Sequence, residues 1–217
     1  MMTRLIVFDF DGTLGDTKAN IVMTMQETMR RMGYSVPDEA TIASTIGLPL
    51  EAGFEIMAPG IGPERCRECA AIYRIVFDEY KAVLNPQPFP GVRETLTKIS
   101  EMGIEMSVAS SRLSVSLNAF VNDMGLGQYI SYVLGVDFQT KPKPNPDPVL
   151  QCMEHFGVTA DETLVVGDMA VDILMGRNAG ARTCGVTWGN GSREQLTAAG
   201  ADYIIDQMQE LVSNVIR

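Results

Sequence analysis

Asp9 and Asp11 stand two residues apart in the run Asp9-Phe10-Asp11-Gly12-Thr13, and an extended chain sends side chains at that spacing to one side. Two carboxylates on one edge repel unless something cationic lies between them. With Asp168 added, the set is all oxygen, with no histidine or thiolate, which suits a hard cation such as Mg²⁺ better than zinc. Asp172 follows one helical turn after Asp168, Gly12 lets the chain turn away tightly, and Thr13 offers a hydroxyl to the loop. Ser110-Ser111-Arg112 and the stretch Lys141 to Asp147 add hydroxyls and cations. Carboxylates, hydroxyls, a lysine and a hard cation together make a coherent phosphoryl-transfer site.

These residues need elements that bring them to one place. Arg4 to Phe10 is a near-continuous apolar run of strand length, the pattern of a strand covered on both faces in a parallel sheet. Residues 17–87 change character. Ile21, Val22, Met25, Met29 and Met32 recur at helical spacing, Gly33 stops the run, and Glu64 to Lys81 repeats the pattern, so this segment is expected to be an all-helical insert. Its methionine stripe reads as core packing. Asn85-Pro86-Gln87-Pro88-Phe89-Pro90-Gly91 suits a boundary linker.

Beyond the linker, helices are expected at Val92 to Met102, Leu113 to Met124, Pro148 to Phe156, Ala170 to Asn178, Arg193 to Ala199 and from Gln207 onward. Strands are expected at Ile104 to Ala109, Tyr132 to Leu134, Thr163 to Val166, Thr183 to Val186 and Tyr203 to Ile205. This alternation predicts an α/β fold with a doubly wound parallel sheet, a core of residues 1–16 and 88–217, and a helical domain of 17–87. In such sheets ligands bind beyond the carboxyl ends of the strands, where the polar residues above are expected.

Asp9-Phe10-Asp11-Gly12-Thr13-Leu14, Val108-Ala109-Ser110-Ser111, Lys143-Pro144-Asn145-Pro146-Asp147 and Val166-Gly167-Asp168-Met169-Ala170-Val171-Asp172 resemble, in order, the four motifs of the haloacid dehalogenase superfamily. The resemblance covers essentially the whole chain. The helical insert resembles the cap domain of the phosphoglycolate phosphatase-like branch, as do Gly47-Leu48-Pro49 and Trp188-Gly189-Asn190-Gly191. It implies a Rossmann-like core and a Mg²⁺-dependent phosphatase working through an aspartyl-phosphate. Asp9 would be the nucleophile and Asp11 the acid and base, with a shielded carboxyl and a backbone carbonyl on the metal. Asp9, Asp11, Asp168 and Asp172 would hold the metal, Asp172 as an auxiliary ligand. Ser110, Ser111, Gly12 and Thr13 would bind phosphate, and Lys143 would neutralise charge. Met169 stands where Ser or Thr is common, and Ser111-Arg112 where Asn-Lys is frequent, which weakens transfer of one particular substrate.

Several residues have second readings. Asp16 and Asp147 read as helix caps. Asp172 also suits the first turn of a helix. Lys141 competes with Lys143 for the cationic role, and the K-P-x-P spacing favours Lys143. Arg112 either binds a substrate anion or begins a helix in solvent. Cys66 and Cys69 have C-x-x-C spacing, but with Cys152 and Cys184 isolated they read as reduced thiols on a helix. His155, the only histidine, lies in an amphipathic helical pattern and reads as structural.

The chain has 217 residues, 46% of them apolar and 20% charged, which is ordinary globular usage. Its net charge of −10 and the lack of a Lys/Arg-rich stretch argue against nucleic-acid binding. No apolar run approaches a membrane span, so a cytoplasmic protein without membrane partners is expected. The expected partner is a small phosphomonoester, phosphoglycolate-like or a sugar phosphate, bound by a monomer or weak homodimer. The alternatives are a phosphomutase or inorganic pyrophosphatase on the same scaffold and a non-catalytic phosphate-binding regulator.

Overall fold

The computed structural model describes residues 2–216; Met1 and Arg217, the outermost residues of the expected core, lie outside the described residues. Two compact units form, one running to Gly15 and resuming at Pro88, the other spanning Asp16 to Gln87.

The continuous unit is helical. α1 (Lys18–Arg31), α2 (Glu39–Ala43), α3 (Leu50–Met57) and α4 (Gly62–Leu84) follow one another. α1 ends where Gly33 takes a φ of 76°, in the left-handed region that favours glycine. α4 buries Cys66, Cys69, Ala70, Tyr73, Val76 and Phe77, a single helical stripe, against α1 and α3. The C-x-x-C thiols are therefore core groups, and all four cysteines are free. Asp16 is not the cap of α1: Thr17 holds that position, and Asp16 donates its N–H to the Gln87 carbonyl at 2.9 Å.

The discontinuous unit is built on β1 (Leu5–Phe8), whose four side chains are all buried because helices cover both faces. β1 pairs in parallel with β2 (Glu105–Ala109) on one side and β4 (Thr163–Gly167) on the other. β3 (Tyr132–Leu134) extends the sheet past β2, and β5 (Arg182–Val186) and β6 (Tyr203–Ile205) extend it past β4. The order β3-β2-β1-β4-β5-β6 is that of a doubly wound sheet, and its direction reverses between β1 and β4. A crevice at the carboxyl ends of those two strands is the consequence.

α5 (Val92–Glu101), α6 (Ser114–Asp123), α7 (Asp147–Phe156), α8 (Ala170–Asn178) and α9 (Arg193–Ala198) complete the layers. Leu5 and Val7 of β1, Val165 of β4, Val149, Cys152 and Met153 of α7 and Met175 of α8 share one buried cluster. Asp147 is the first residue of α7 and not its cap. The helix expected from Gln207 is replaced by a turn and a π-helical segment, Leu211–Val215. Glu210 draws the N–H groups of Asp206 and Gln207 into the turn, and the Ile216 N–H reaches the Leu211 carbonyl at 2.9 Å. That wider winding buries Leu211, Val215 and Ile216 together. Among the described residues, no helix is long and apolar enough to cross a membrane.

Candidate active site

Register places the expected polar residues. Phe8 is level with Val166 of β4 and Val108 of β2, so Asp9, Asp168 and Ser110 all emerge just beyond the carboxyl ends of adjacent strands. The Asp9 N–H still bonds the Val166 carbonyl, at 2.8 Å, which holds Asp9 at the sheet edge. Gly12 then turns with a φ of 86°, and a Cβ there would overlap the carboxylate of Asp168.

Asp9, Asp168 and Asp172 are buried, with one carboxylate oxygen of each within 4.8 Å of the others. Lys143, equally buried, places Nζ 2.5 Å from Asp9 Oδ1 and 2.7 Å from Asp172 Oδ1. Lys141 is exposed. The helix-start reading of Asp172 is met, because its Oδ2 accepts the Met169 N–H at the start of α8, at 3.0 Å.

The electrostatics follow from burial. Burial pushes the Asp9 carboxyl well above its ordinary range, against the pull of Lys143, and Asp172, Asp168 and Asp11 push the same way. Burial and then Asp172 push Asp168 up to about 7, although hydrogen bonds from Asn190 and Thr13 oppose them. Burial works to lower Lys143, but Asp172 and Asp9 outweigh it and hold the ammonium above its ordinary value. Three carboxylates around one ammonium leave two negative charges when all are ionised. A divalent hard cation fits this all-oxygen donor set and that charge.

Asp11 lies apart from the trio. Its two carboxylate oxygens accept from Arg112 Nε at 2.8 and 2.7 Å, and both side chains are only 10% exposed. Arg112 is thus not a solvated helix-start arginine: it bonds Asp11, and its guanidinium lies 4.6 Å over the Phe120 ring. Ser110 is buried, and its hydroxyl accepts the Arg112 N–H at 3.2 Å; Ser111 is half-buried beside it.

Gly12 and Thr13, expected on phosphate, make close bonds within the protein. The Gly12 N–H bonds the Gly15 carbonyl, the Thr13 N–H bonds the Phe10 carbonyl, and the Thr13 hydroxyl donates to Asp168 Oδ1 at 3.0 Å. The cause is the tight loop, which needs those donors to close.

Sequence reasoning left three site residues without a role. Gln139 donates to the Ser110 carbonyl at 2.8 Å, Trp188 Nε1 donates to the Thr13 carbonyl at 3.1 Å, and Asn190 grips Asp168. For Asn190 a signal existed: a polar residue between two glycines just past a strand end. Gln139 had none.

The family profile described as haloacid dehalogenase-like hydrolase matches residues 6–186. The "probable phosphatase IndB" of Dickeya dadantii is 39% identical over 97% of this chain and 93% of its own length. Pyrophosphatase PpaX of Bacillus velezensis is 30% identical over 95% of this chain and 94% of its own. Phosphoglycolate phosphatase of Vibrio parahaemolyticus is 29% identical over 98% and 96%. The crystal structure of a "putative haloacid dehalogenase-like hydrolase" from Bacteroides fragilis superposes with a TM-score of 0.91 at 27% identity, covering 96% of this chain and 99% of that one.

Proposed function

This chain belongs to the haloacid dehalogenase-like hydrolases and is a phosphatase, and from that premise we propose that it hydrolyses a small phosphomonoester with Mg²⁺ through an aspartyl-phosphate on Asp9. The observation that carries the reading is Lys143 bridging Asp9 and Asp172 beside Asp168, a nucleophile, a buried counter-charge and a hard-cation site in one place.

Bound at Asp9, Asp168 and Asp172 and at the Asp11 carbonyl, Mg²⁺ would supply charge that lets buried Asp9 ionise and would neutralise phosphoryl oxygens. Lys143 occupies Asp9 Oδ1, which leaves Oδ2 to attack phosphorus. The new Oδ2–P bond forms as the ester P–O bond breaks, and Asp11, freed from Arg112 and protonated from solvent, hands that proton to the departing oxygen. Asp11 then takes a proton from water, whose oxygen attacks phosphorus and breaks the Oδ2–P bond, releasing phosphate and restoring both carboxyls. To do this Asp11 must exchange its Arg112 bond, so Arg112 holds the acid in place between turnovers. Ser110 and the Ser111 N–H steady the phosphoryl oxygens.

The relative named a pyrophosphatase favours a second reading, cleavage of pyrophosphate at the same Asp9. As a cytoplasmic monomer or weak dimer, the protein would meet either substrate free in solution. The test is turnover of p-nitrophenyl phosphate, phosphoglycolate, sugar phosphates and pyrophosphate. Activity should vanish in EDTA, return with Mg²⁺ and return poorly with Ca²⁺. Full turnover in excess chelator would overturn the metal reading, and pyrophosphate with the highest kcat/KM would select the second substrate.

A further inference from the structure

The Trp188-Gly189-Asn190-Gly191 loop follows β5 and takes no part in the chemistry above. The geometry points to Asn190 as the positioning residue that restricts Asp168 to a one-oxygen metal ligand and so sets the preference for a small cation; this rests on the trio being a divalent cation site.

A carboxylate has about four lone-pair sites on its two oxygens. In Asp168, Oδ2 accepts both the Asn190 N–H at 2.7 Å and the Asn190 amide Nδ2 at 3.1 Å, while Oδ1 accepts the Thr13 hydroxyl at 3.0 Å. What remains is one site, on Oδ1. Asp168 therefore meets a cation through Oδ1 alone and cannot chelate through both oxygens.

The surrounding chain enforces this arrangement. A Cβ at Gly189 would overlap the Asp168 side chain, and one at Gly191 would overlap its carbonyl. One at Gly12 would overlap Asp168 Oδ2 and Asn190 Nδ2 together. Backbone is thus packed around the Oδ2 side, and the glycines are what let it come so near. The orientation of the Asn190 amide is also decided, since turning it over would set its oxygen against the carboxylate. In the observed orientation that oxygen is buried with no hydrogen-bond partner, an unfavourable state that the Nδ2 bond to Asp168 outweighs.

The consequence concerns which cation binds. Mg²⁺ is small, demands near-octahedral geometry and takes carboxylates singly, whereas Ca²⁺ accepts higher coordination and two-oxygen carboxylates. Removing the Asn190 amide opens a second oxygen and loosens the first.

The experiment is calorimetric binding of Mg²⁺ and of Ca²⁺ to the metal-free full-length protein, for wild type, Asn190→Ala and Thr13→Val. Asn190→Ala should weaken Mg²⁺ binding about 10- to 100-fold, the usual effect of losing a partner of a metal ligand, and should weaken Ca²⁺ binding less, lowering the Mg²⁺/Ca²⁺ preference. Thr13→Val frees a site on the oxygen that already ligates, so it should shift that preference little. An Mg²⁺/Ca²⁺ preference unchanged in a folded Asn190→Ala, or changed as much in Thr13→Val, overturns the assignment. Should Asn190→Ala fail to fold, Asn190→Ser, which also lacks the reach to Oδ2, replaces it under the same criteria. If wild type binds neither ion, the cation site itself is wrong, an outcome separate from failure of the Asn190 role.

Discussion

Four buried side chains, Asp9, Asp168, Asp172 and Lys143, concentrate the site's charge where water cannot screen it. Asp9→Asn is nearly isosteric but a poor nucleophile, so it should lose several orders of magnitude in kcat and keep its fold. Near wild-type turnover in a single-turnover assay would sink the covalent route. Asp11→Asn should lose about 10²- to 10⁴-fold, the usual worth of positioned proton transfer. The pH dependence of the metal-free protein has a definite sign. Asp168 sits at about 7 when folded, against an ordinary 3.8, so between those values the native state keeps a proton that the unfolded chain has released. Stability should then fall as pH rises through that window, and Asp9 acts in the same direction. In EDTA the melting temperature should be lower at pH 8 than at pH 5, and Mg²⁺ should raise it more at pH 8. Equal melting at both pH values in EDTA would contradict the site as described.

At the scale of elements, α8 links packing to chemistry, because it carries Asp172 and lies directly on β4 and β5. Gly176 makes this approach possible: a Cβ there would stand 2.6 Å from Thr183 Cγ2 and 2.9 Å from Val165 Cβ. Alanine is worth about 1 kcal/mol over glycine in a helix interior. Overpacking against buried β-branched side chains costs about 1–3 kcal/mol, and these strand residues have no room to yield. Gly176→Ala should therefore be net destabilising by up to about 2 kcal/mol in urea unfolding, and should also lower activity by shifting Asp172 from Lys143. An unchanged urea midpoint would show that the helix can move off the sheet freely.

For the whole molecule, the helical unit enters the chain directly after the first carboxylate pair. Under the proposed reading a comparison of kcat/KM should favour phosphoglycolate or sugar phosphates, with a folded phosphoprotein poor; the opposite ranking would overturn the small-ester substrate class. The sheet, its helices and the helical insert were legible in the sequence because apolar periodicity is local: a buried strand reads as Leu5-Ile6-Val7-Phe8 wherever it lies. The placement of Asp9, Ser110, Lys143 and Asp168 was legible too, since each stands at a predicted strand end or loop. Pairings were not, because they join residues far apart in the chain. That Arg112 bonds Asp11, that Thr13 serves Asp168 and that Asn190 completes its grip are decided by strand order and loop closure. The tertiary structure also wound the last segment as a π-helix, since burying Leu211, Val215 and Ile216 together outweighed local helical preference.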